Sequence, residues 1–313
     1  MLIWSILIAL AGAFCMALGS ALQERDAVRA PGHSVARFGF LLHLAQRPRW
    51  LLGTLGAGAG VVLHLVALSG APLTVIQPIG VTGLIFAIVL SAVFNRRRVR
   101  PGQIVAGGAV MVGLAGLLLL FPHTAQTPHM ATGTALALAG SVAAVGCAAY
   151  AAAHWLPPAL RVLLLAAVGG VALGTTSALA RVVAANAVVD ATAVLSWLTV
   201  LCVAVAVFGG QFQQNAYRTG HFAAAYATLL VVDPITGAGI GALLLGEGLP
   251  ATPLDQALAA GSALLAIAGT VALAVARNRN PEAARHRTGD PAPAGTALST
   301  TSVHSTTTPG DSR

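Results

Sequence analysis

Apolar residues occupy nine long runs of this chain, and short polar, proline-containing or arginine-containing segments separate each run from the next. An α-helix needs roughly 20 apolar residues to cross the hydrocarbon core of a bilayer. The pattern therefore predicts an all-α integral membrane protein with nine transmembrane helices. The predicted spans are Leu2–Leu22, Trp50–Leu68, Leu73–Phe94, Ile104–Phe121, Gly133–Ala153, Leu160–Val183, Ala193–Gln213, His221–Leu245 and Leu254–Ala276.

The composition agrees with a membrane protein and indicates which partners the chain contacts. The 313 residues are 57% hydrophobic and 8% charged, whereas a soluble domain carries about 25% charged residues. Arginines in short loops and a tail carry the net charge of +8, which favours contact with the lipid bilayer and not with nucleic acid. Cys15, Cys147 and Cys202 lie inside apolar runs, so we expect buried hydrophobic residues rather than metal ligands or disulfides.

Arginine positions predict the orientation of the helices. The chain has no lysine, and all but one of its 17 basic side chains lie in or beside one alternating set of connections and the C-terminal tail. The exception is Arg181, at the predicted end of the sixth helix. The positive-inside rule then places the N-terminus outside and the C-terminus in the cytoplasm. The expected location is the inner cell membrane, with multiple passes.

Two polar segments lie outside the predicted spans. The cytoplasmic loop 23–49 contains SVARFGFLLHLAQRPRW, whose mixture of apolar and basic residues fits either a helix lying on the membrane surface or a plain connecting loop. The tail 277–313 is rich in Pro, Ser, Thr and Ala. Such a composition buries too little apolar surface to fold, so we expect a disordered cytoplasmic tail.

A single carboxylate, Asp233, lies near the middle of the eighth predicted span. A charged Asp at a helix centre costs about 2.5–3.5 kcal/mol on insertion scales, so it needs a partner, a wet cavity or a proton. No arginine is expected at this depth. The expected partners are a proton, a cationic substrate, or polar groups such as Gln77 and Tyr226, the latter two helical turns earlier on the same face. Asp233 is therefore the predicted coupling or cation-binding residue.

Two parts of the chain resemble each other in opposite membrane orientations. VIQPIGVTGLIFAIVLSAVF aligns with VVDPITGAGIGALLLGEGL, so that Gln77-Pro78 falls opposite Asp233-Pro234. Inverted repeats with matched prolines are typical of secondary transporters that bind substrate near the membrane midplane. We expect Pro78 and Pro234 to break their helices and free a backbone carbonyl, with a purely structural kink as the alternative. Gln77 and Asp233 are predicted to face one cavity.

The segments APLTVIQPIGVTGLIFAIVLSAVFNRRRVRPGQ and GHFAAAYATLLVVDPITGAGIGALLLGEGL resemble the ends of the two EamA-type repeats of the drug/metabolite transporter superfamily. RPRWLLG and FGGQFQQNAYRTG resemble its NIPA-like branch, whose eukaryotic members are described as magnesium transporters. The resemblance covers about residues 1–276.

The resemblance implies two inverted repeats, although the usual repeat has five helices. Here it implies a shortened four-helix repeat over 1–121 and a five-helix repeat over 132–276. The family's Gly-Glu pair at the repeat end is present as Gly246-Glu247, whereas Asn95-Arg96 stands in its place in the first repeat.

Other polar residues within the spans are secondary candidates for substrate or ion binding. Gln211 and Gln214 share a helix face with Arg218. Their amides fit substrate binding or helix–helix contacts, and hydration at the membrane surface is the alternative. His64 fits either a titrating group or a histidine bonded to a neighbouring helix.

GxxxG pairs predict close helix packing, which suits helices that slide during alternating access. The pairs are Gly56 with Gly60, Gly170 with Gly174, and Gly237 with Gly241.

The sequence contains no GxSxG, P-loop, HExxH or CxxC motif, so we expect neither an enzyme nor a bound cofactor, and a gradient must drive transport. The predicted function is a secondary transporter of the drug/metabolite type that moves a small metabolite or cationic compound, with proton coupling through Asp233. A NIPA-like Mg²⁺ or divalent cation transporter is the alternative, and a non-transporting membrane scaffold or sensor is the alternative from another class. Whether a metal binds, and whether the chain forms a homodimer, stays open.

Overall fold

The computed structural model describes residues 2–30, 39–71, 73–96, 98–120, 129–246, 250 and 252–278. These residues form α-helices and one short 3₁₀ helix, with no strand among them. The helices are α1 Leu2–Arg29, α2 Phe40–Ala45, α3 Pro48–Gly70, α4 Leu73–Val81, α5 Gly83–Phe94, α6 Pro101–Leu120, α7 Thr132–Ala153, α8 Pro158–Val189, α9 Trp197–Arg218, α10 Phe222–Leu244 and α11 Pro253–Asn278, and the 3₁₀ helix is Ala191–Leu195. Glu247 and the predicted disordered tail from residue 279 onward lie outside the described residues.

Nine helical segments in this part of the chain are long and apolar enough to cross a membrane. Each coincides with one of the nine predicted spans, and α4 and α5 together make the third. The all-α membrane architecture predicted from the apolar runs is therefore confirmed, and the chain is a multi-pass membrane protein.

Two helices are longer than their apolar runs predicted. α1 continues through polar residues to Arg29 instead of ending at Leu22. α8 continues to Val189, so Arg181 lies two turns inside this helix and not at its end, as predicted. Charged residues end an apolar run but not a helix, which continues until a proline, glycine or cap stops it. Asp190 follows α8 and caps the 3₁₀ helix, and hydrogen bonds from Thr192 lower the pKa of its carboxyl group.

The basic and apolar segment before α3 contains the short helix α2. Phe40 and Leu44 of α2 are buried, and the guanidinium of Arg218 lies 5.0 Å from the centre of the Phe40 ring. The same guanidinium donates a hydrogen bond of 3.2 Å to the carbonyl of Ala30. Part of the predicted loop is therefore a helix whose apolar side chains pack against the protein.

The expectation that Pro78 and Pro234 break their helices needs correction. Pro78 lies within α4 and Pro234 within the continuous helix α10. The interruption in the third span comes instead at Thr82, whose hydroxyl donates a hydrogen bond of 2.6 Å to the carbonyl of Ile79. A proline removes one helical hydrogen bond, but neighbouring turns and hydroxyl groups keep the backbone satisfied.

Glycines allow several helices to pack with their backbones in contact. A methyl group on Gly19 of α1 would collide with the backbone of Gly53 in α3, and one on Gly60 would collide with the backbone of Gly12. Gly170 and Gly174 allow the backbone of α8 to come similarly close to α10. The structure thus agrees with the close packing predicted for the glycine pairs at Gly60 and at Gly170 with Gly174.

The arginine-rich connections meet at one end of the helix bundle, which we call the arginine end. Arg218 at the end of α9 bonds to Ala30 after α1, and Arg100 before α6 donates a hydrogen bond of 3.2 Å to the carbonyl of Ala276 near the end of α11. α10 is buried on all sides from Phe222 to Leu229, at the arginine end, and is half-buried from Val232 to Gly239. α10 is therefore more buried at the arginine end than in the turns around Asp233.

Candidate functional site

Asp233 lies near the centre of α10, at the point where the burial of this helix changes. The residue is half-buried, and its carboxylate accepts a hydrogen bond from the side chain of Ser177 on α8. The two helices come close because α8 has glycines here: a methyl group on Gly174 would collide with the backbone of Asp233 and the side chain of Thr236. The packing of α8 against α10 thus sets the position of the carboxylate.

Arg181 lies one turn beyond Ser177 on the same face of α8. Four residues advance a helix by about 6 Å, so this exposed guanidinium lies closer to the level of Asp233 than the sequence suggested. The longer course of α8 is the reason.

Tyr226 lies on the arginine side of Asp233, in the densely packed part of α10. Its ring centre is 5.7 Å from that of Phe222, which is 5.0 Å from that of Tyr217 on α9. A methyl group on Gly83 of α5 would lie 3.3 Å from the Tyr226 hydroxyl. These three aromatic side chains, which we call the aromatic layer, contact one another in sequence from α9 to α10 on the arginine side of Asp233.

Gln77 and His64 lie on a different pair of helices. The side-chain oxygen of Gln77 in α4 is buried and has no hydrogen-bond partner. His64 of α3 is half-buried, and its ring lies against Gly80, one turn after Gln77. α4 packs mainly against α1 and α6, whereas α10 packs mainly against α8. That Gln77 and Asp233 face one cavity stays a prediction.

Gln211 and Gln214 of α9 are buried at the arginine end. The Gln214 amide donates a hydrogen bond of 2.9 Å to the side-chain oxygen of Gln23 on α1, and the Gln23 amide donates one of 3.0 Å to the Thr54 hydroxyl on α3. The carbonyl of Gln211 accepts a hydrogen bond of 2.8 Å from the Asn215 amide. The Gln214 amide therefore joins α9 to α1, and both glutamines lie inside the bundle and not at a hydrated surface.

Sequence reasoning missed a second carboxylate inside the bundle, Glu24. It lies on the last two turns of α1 and is 3% exposed. One of its oxygens accepts hydrogen bonds from the Ser91 hydroxyl at 3.1 Å and the Asn95 amide at 3.2 Å, both from the end of α5. Its neighbour Asp26 is 5% exposed. The sequence carries a signal for it, because no glycine or proline follows Leu22 until Pro31, so nothing local stops the helix at the end of its apolar run.

The six candidate binding residues therefore do not form one cluster. Asp233 lies on the less buried side of the aromatic layer. Gln211 and Gln214 lie at the arginine end with Gln23 and Glu24, and Tyr226 belongs to the aromatic layer itself. Among the described residues, no group of three or more His, Cys, Asp or Glu side chains is arranged to hold a metal ion.

Comparison with known proteins gives one relative at low identity. An uncharacterized protein of Corynebacterium glutamicum is 28% identical over 273 residues, which span 86% of this chain and 94% of that protein. The similarity extends over most of both chains and not over a single motif. No family model matches the chain, and no solved structure matches it.

Proposed function

We propose that this protein is a secondary transporter of the drug/metabolite type, which moves a small metabolite or cationic compound by alternating access. The observation that carries the proposal is Asp233, a half-buried carboxylate at the centre of a membrane-spanning helix. Ionisable residues within membrane spans are rare and typically mark substrate or ion pathways. In this proposal Asp233 binds the substrate cation or the coupling proton, and Ser177 orients its carboxylate.

Helix packing supports an arrangement of two inverted repeats. α1 packs against α3 and α5, and the sixth span, α8, packs in the corresponding way against α9 and α10. α6 and α11, the last helices of the two sets, pack against each other. Since α1 and α8 are an odd number of spans apart, the two sets have opposite directions. Such repeats commonly rock against each other around a central site.

The distribution of arginines supports a cytoplasmic location of the arginine end, in the inner cell membrane. The carboxylate of Asp233 then lies on the side of the aromatic layer that faces outward. Because α10 is buried from Phe222 to Leu229 and half-buried from Val232 to Gly239, the structure corresponds to an outward-facing state in this proposal.

Transport of Mg²⁺ is the second candidate, favoured by the resemblance to the NIPA-like branch. Mg²⁺ often keeps several waters and uses only one or two carboxylates. Asp233 with the hydroxyl of Ser177 provides oxygen ligands of the kind that a partly hydrated Mg²⁺ accepts.

Purified protein in liposomes distinguishes these functions. Mag-fura-2 inside the vesicles reports Mg²⁺ entry, ethidium fluorescence reports movement of an organic cation, and pyranine reports protons. We expect one probe to move faster than in protein-free liposomes, and an imposed pH gradient to change its rate. Protein that remains folded but moves no probe under either a proton or an Mg²⁺ gradient would instead favour a scaffold or sensor.

A further inference from the structure

We propose that Glu24 is a proton-binding site that controls the arginine end of the bundle. The ionised carboxylate holds α1 against α5 and keeps this end closed, and binding of a proton releases α5. The inference builds on alternating access from the proposed function, but it concerns a different carboxylate, on the other side of the aromatic layer from Asp233.

The first support is the set of side chains that join α1 to its neighbours at this end. Gln23 bonds to Thr54 on α3 and to Gln214 on α9, whereas Glu24 bonds to Ser91 and Asn95 on α5. Glutamine and threonine do not titrate. Among these contacts, a change of protonation therefore weakens only the contact between α1 and α5.

The second support is the position of Glu24 and the direction of its hydrogen bonds. Glu24 is 3% exposed and Ser91 is fully buried. The hydroxyl and the amide both donate to one carboxylate oxygen, at 3.1 Å and 3.2 Å. Hydrogen bonds to an ionised acceptor are roughly twice as strong as those between neutral groups, so a proton on the carboxylate weakens this contact.

The ligand class follows from the surrounding chemistry. The Asn95 amide donates one hydrogen bond to the carboxylate and another, of 2.9 Å, to the backbone carbonyl of Ser91. An N–H donor facing the carboxylate suits an anion and not a metal ion beside it. No metal-binding group of three acidic, histidine or cysteine side chains exists among the described residues. The proton is the cation that such a site can accept without rearranging its ligands.

The third support is the position of the other end of α5. Thr82, between α4 and α5, keeps helical backbone angles, and its carbonyl accepts backbone hydrogen bonds from Ile85 and Phe86. Gly83, the first residue of α5, lies beside the hydroxyl of Tyr226 in the aromatic layer. α5 therefore runs from the residues that bond to Glu24 to the aromatic layer, and a change at its Glu24 contact can reach that layer through one helix.

The elements packed around the end of α1 carry several titratable and charged groups. On α1 itself they are Arg25, Asp26 and Arg29, and Arg96 follows α5. On α9 they are Arg218 and Tyr217, and the Tyr217 phenol interacts electrostatically with Glu24. The others are Tyr226 on α10, Arg49 and His64 on α3, and His43 on α2, with His64 toward the opposite end of α3. Asp26 is the other carboxylate of α1, and it is buried, so it provides the matched control.

Distance measurements between spin labels test the proposal without requiring transport. Val28 on α1 and Val93 on α5 are exposed and accept labels on introduced cysteines after Cys15, Cys147 and Cys202 are replaced by serine. The full chain is measured in lipid nanodiscs by electron double resonance at about pH 8 and about pH 5. We expect a short distance at the higher pH and at least a twofold larger population of a longer distance at the lower pH.

Glu24→Gln mimics the protonated side chain and should show the long distance at both pH values. Asp26→Asn should keep the pH response of the unmodified chain. Ser91→Ala, which keeps the carboxylate but removes one donor, should show more of the long distance at high pH. A short distance with an intact pH response in Glu24→Gln contradicts the proposal. If Glu24→Gln does not fold, a Ser91→Ala distribution identical to the unmodified chain contradicts it instead.

The same labels separate this proposal from the proposed transport function. In an Asp233→Asn background, the distance between Val28 and Val93 should still respond to pH, because Asp233 lies beyond the aromatic layer. A pH-dependent distance in a protein that moves no probe would support the Glu24 site and contradict transport. Transport in a protein whose label distance does not change with pH would support the transport function and contradict the Glu24 site.

Discussion

The side-chain amide of Gln214 donates a hydrogen bond of 2.9 Å to the side-chain oxygen of Gln23 and so joins α9 to α1, 191 residues apart in the chain. Both side chains are buried. Because α1 and α9 belong to the two different sets of helices proposed as repeats, this pair connects the two halves of the bundle at the arginine end.

A double-mutant cycle measures what this contact contributes. Gln23→Leu, Gln214→Leu and the double variant should show a coupling free energy of about 0.6 kcal/mol, and at most about 1.7 kcal/mol, as for other hydrogen bonds between membrane helices. The free energy of unfolding is measured in mixed micelles with increasing dodecyl sulfate. Gln23 also bonds to Thr54, and the cycle cancels that contribution. Strictly additive effects would show that the hydrogen bond contributes nothing.

The glycine contact between α1 and α3 predicts different effects of the same substitution at two positions of one helix. A methyl group at Gly53 would lie 2.7 Å from the carbonyl oxygen of Gly19, whereas at Gly58 it would have no atom within 4 Å. We expect Gly53→Ala to destabilise the protein by about 1–3 kcal/mol. Gly58→Ala should be neutral or stabilising by up to about 1 kcal/mol. Equal effects in the same unfolding assay would contradict the close packing.

The distribution of arginines predicts a cytoplasmic C-terminus and an external N-terminus. Green fluorescent protein fused after Asn278 should fluoresce, and alkaline phosphatase fused at the same place should be inactive. Fusions in the connection between α10 and α11 should show the opposite pattern. An active phosphatase after Asn278 would invert the proposed orientation and place the arginine end outside.

Asp190, beyond the end of α8, gives a prediction for titration. Its carboxylate accepts hydrogen bonds from the Thr192 backbone N–H at 2.9 Å and from the Thr192 hydroxyl at 2.8 Å, and these lower its pKa. Since the folded pKa is depressed, the interaction is complete above the ordinary pKa of Asp and is lost as the pH falls through the folded value. Thr192→Val should raise the Asp190 pKa, as followed by carbon NMR of labelled aspartate. An unchanged pKa would show that the side-chain bond has no effect.

The sequence predicted the spans well because each depends only on local apolar length. The sequence did not predict the buried position of Glu24. This residue lies in the polar end of α1, and that end is buried only because it packs against α5 and α9. The predicted position of Arg181 at a helix end is wrong for a related reason, because α8 continues beyond the end of its apolar run. The hydrogen bond between Gln23 and Gln214 depends on distant segments meeting, which no local pattern in one sequence specifies.

Asp233→Asn gives the most direct test of the proposed function, because it keeps the shape and hydrogen bonding of the side chain but removes its titration. Flux of the transported probe is measured in liposomes between about pH 5.5 and about pH 8.5, with Asp190→Asn as a control at an exposed carboxylate. We expect Asp233→Asn to remain folded and to lose roughly tenfold or more of gradient-driven flux across this pH range, while Asp190→Asn keeps its flux. Transport by Asp233→Asn with an unchanged rate and pH profile would contradict the account and leave Asp233 as a polar residue satisfied by Ser177.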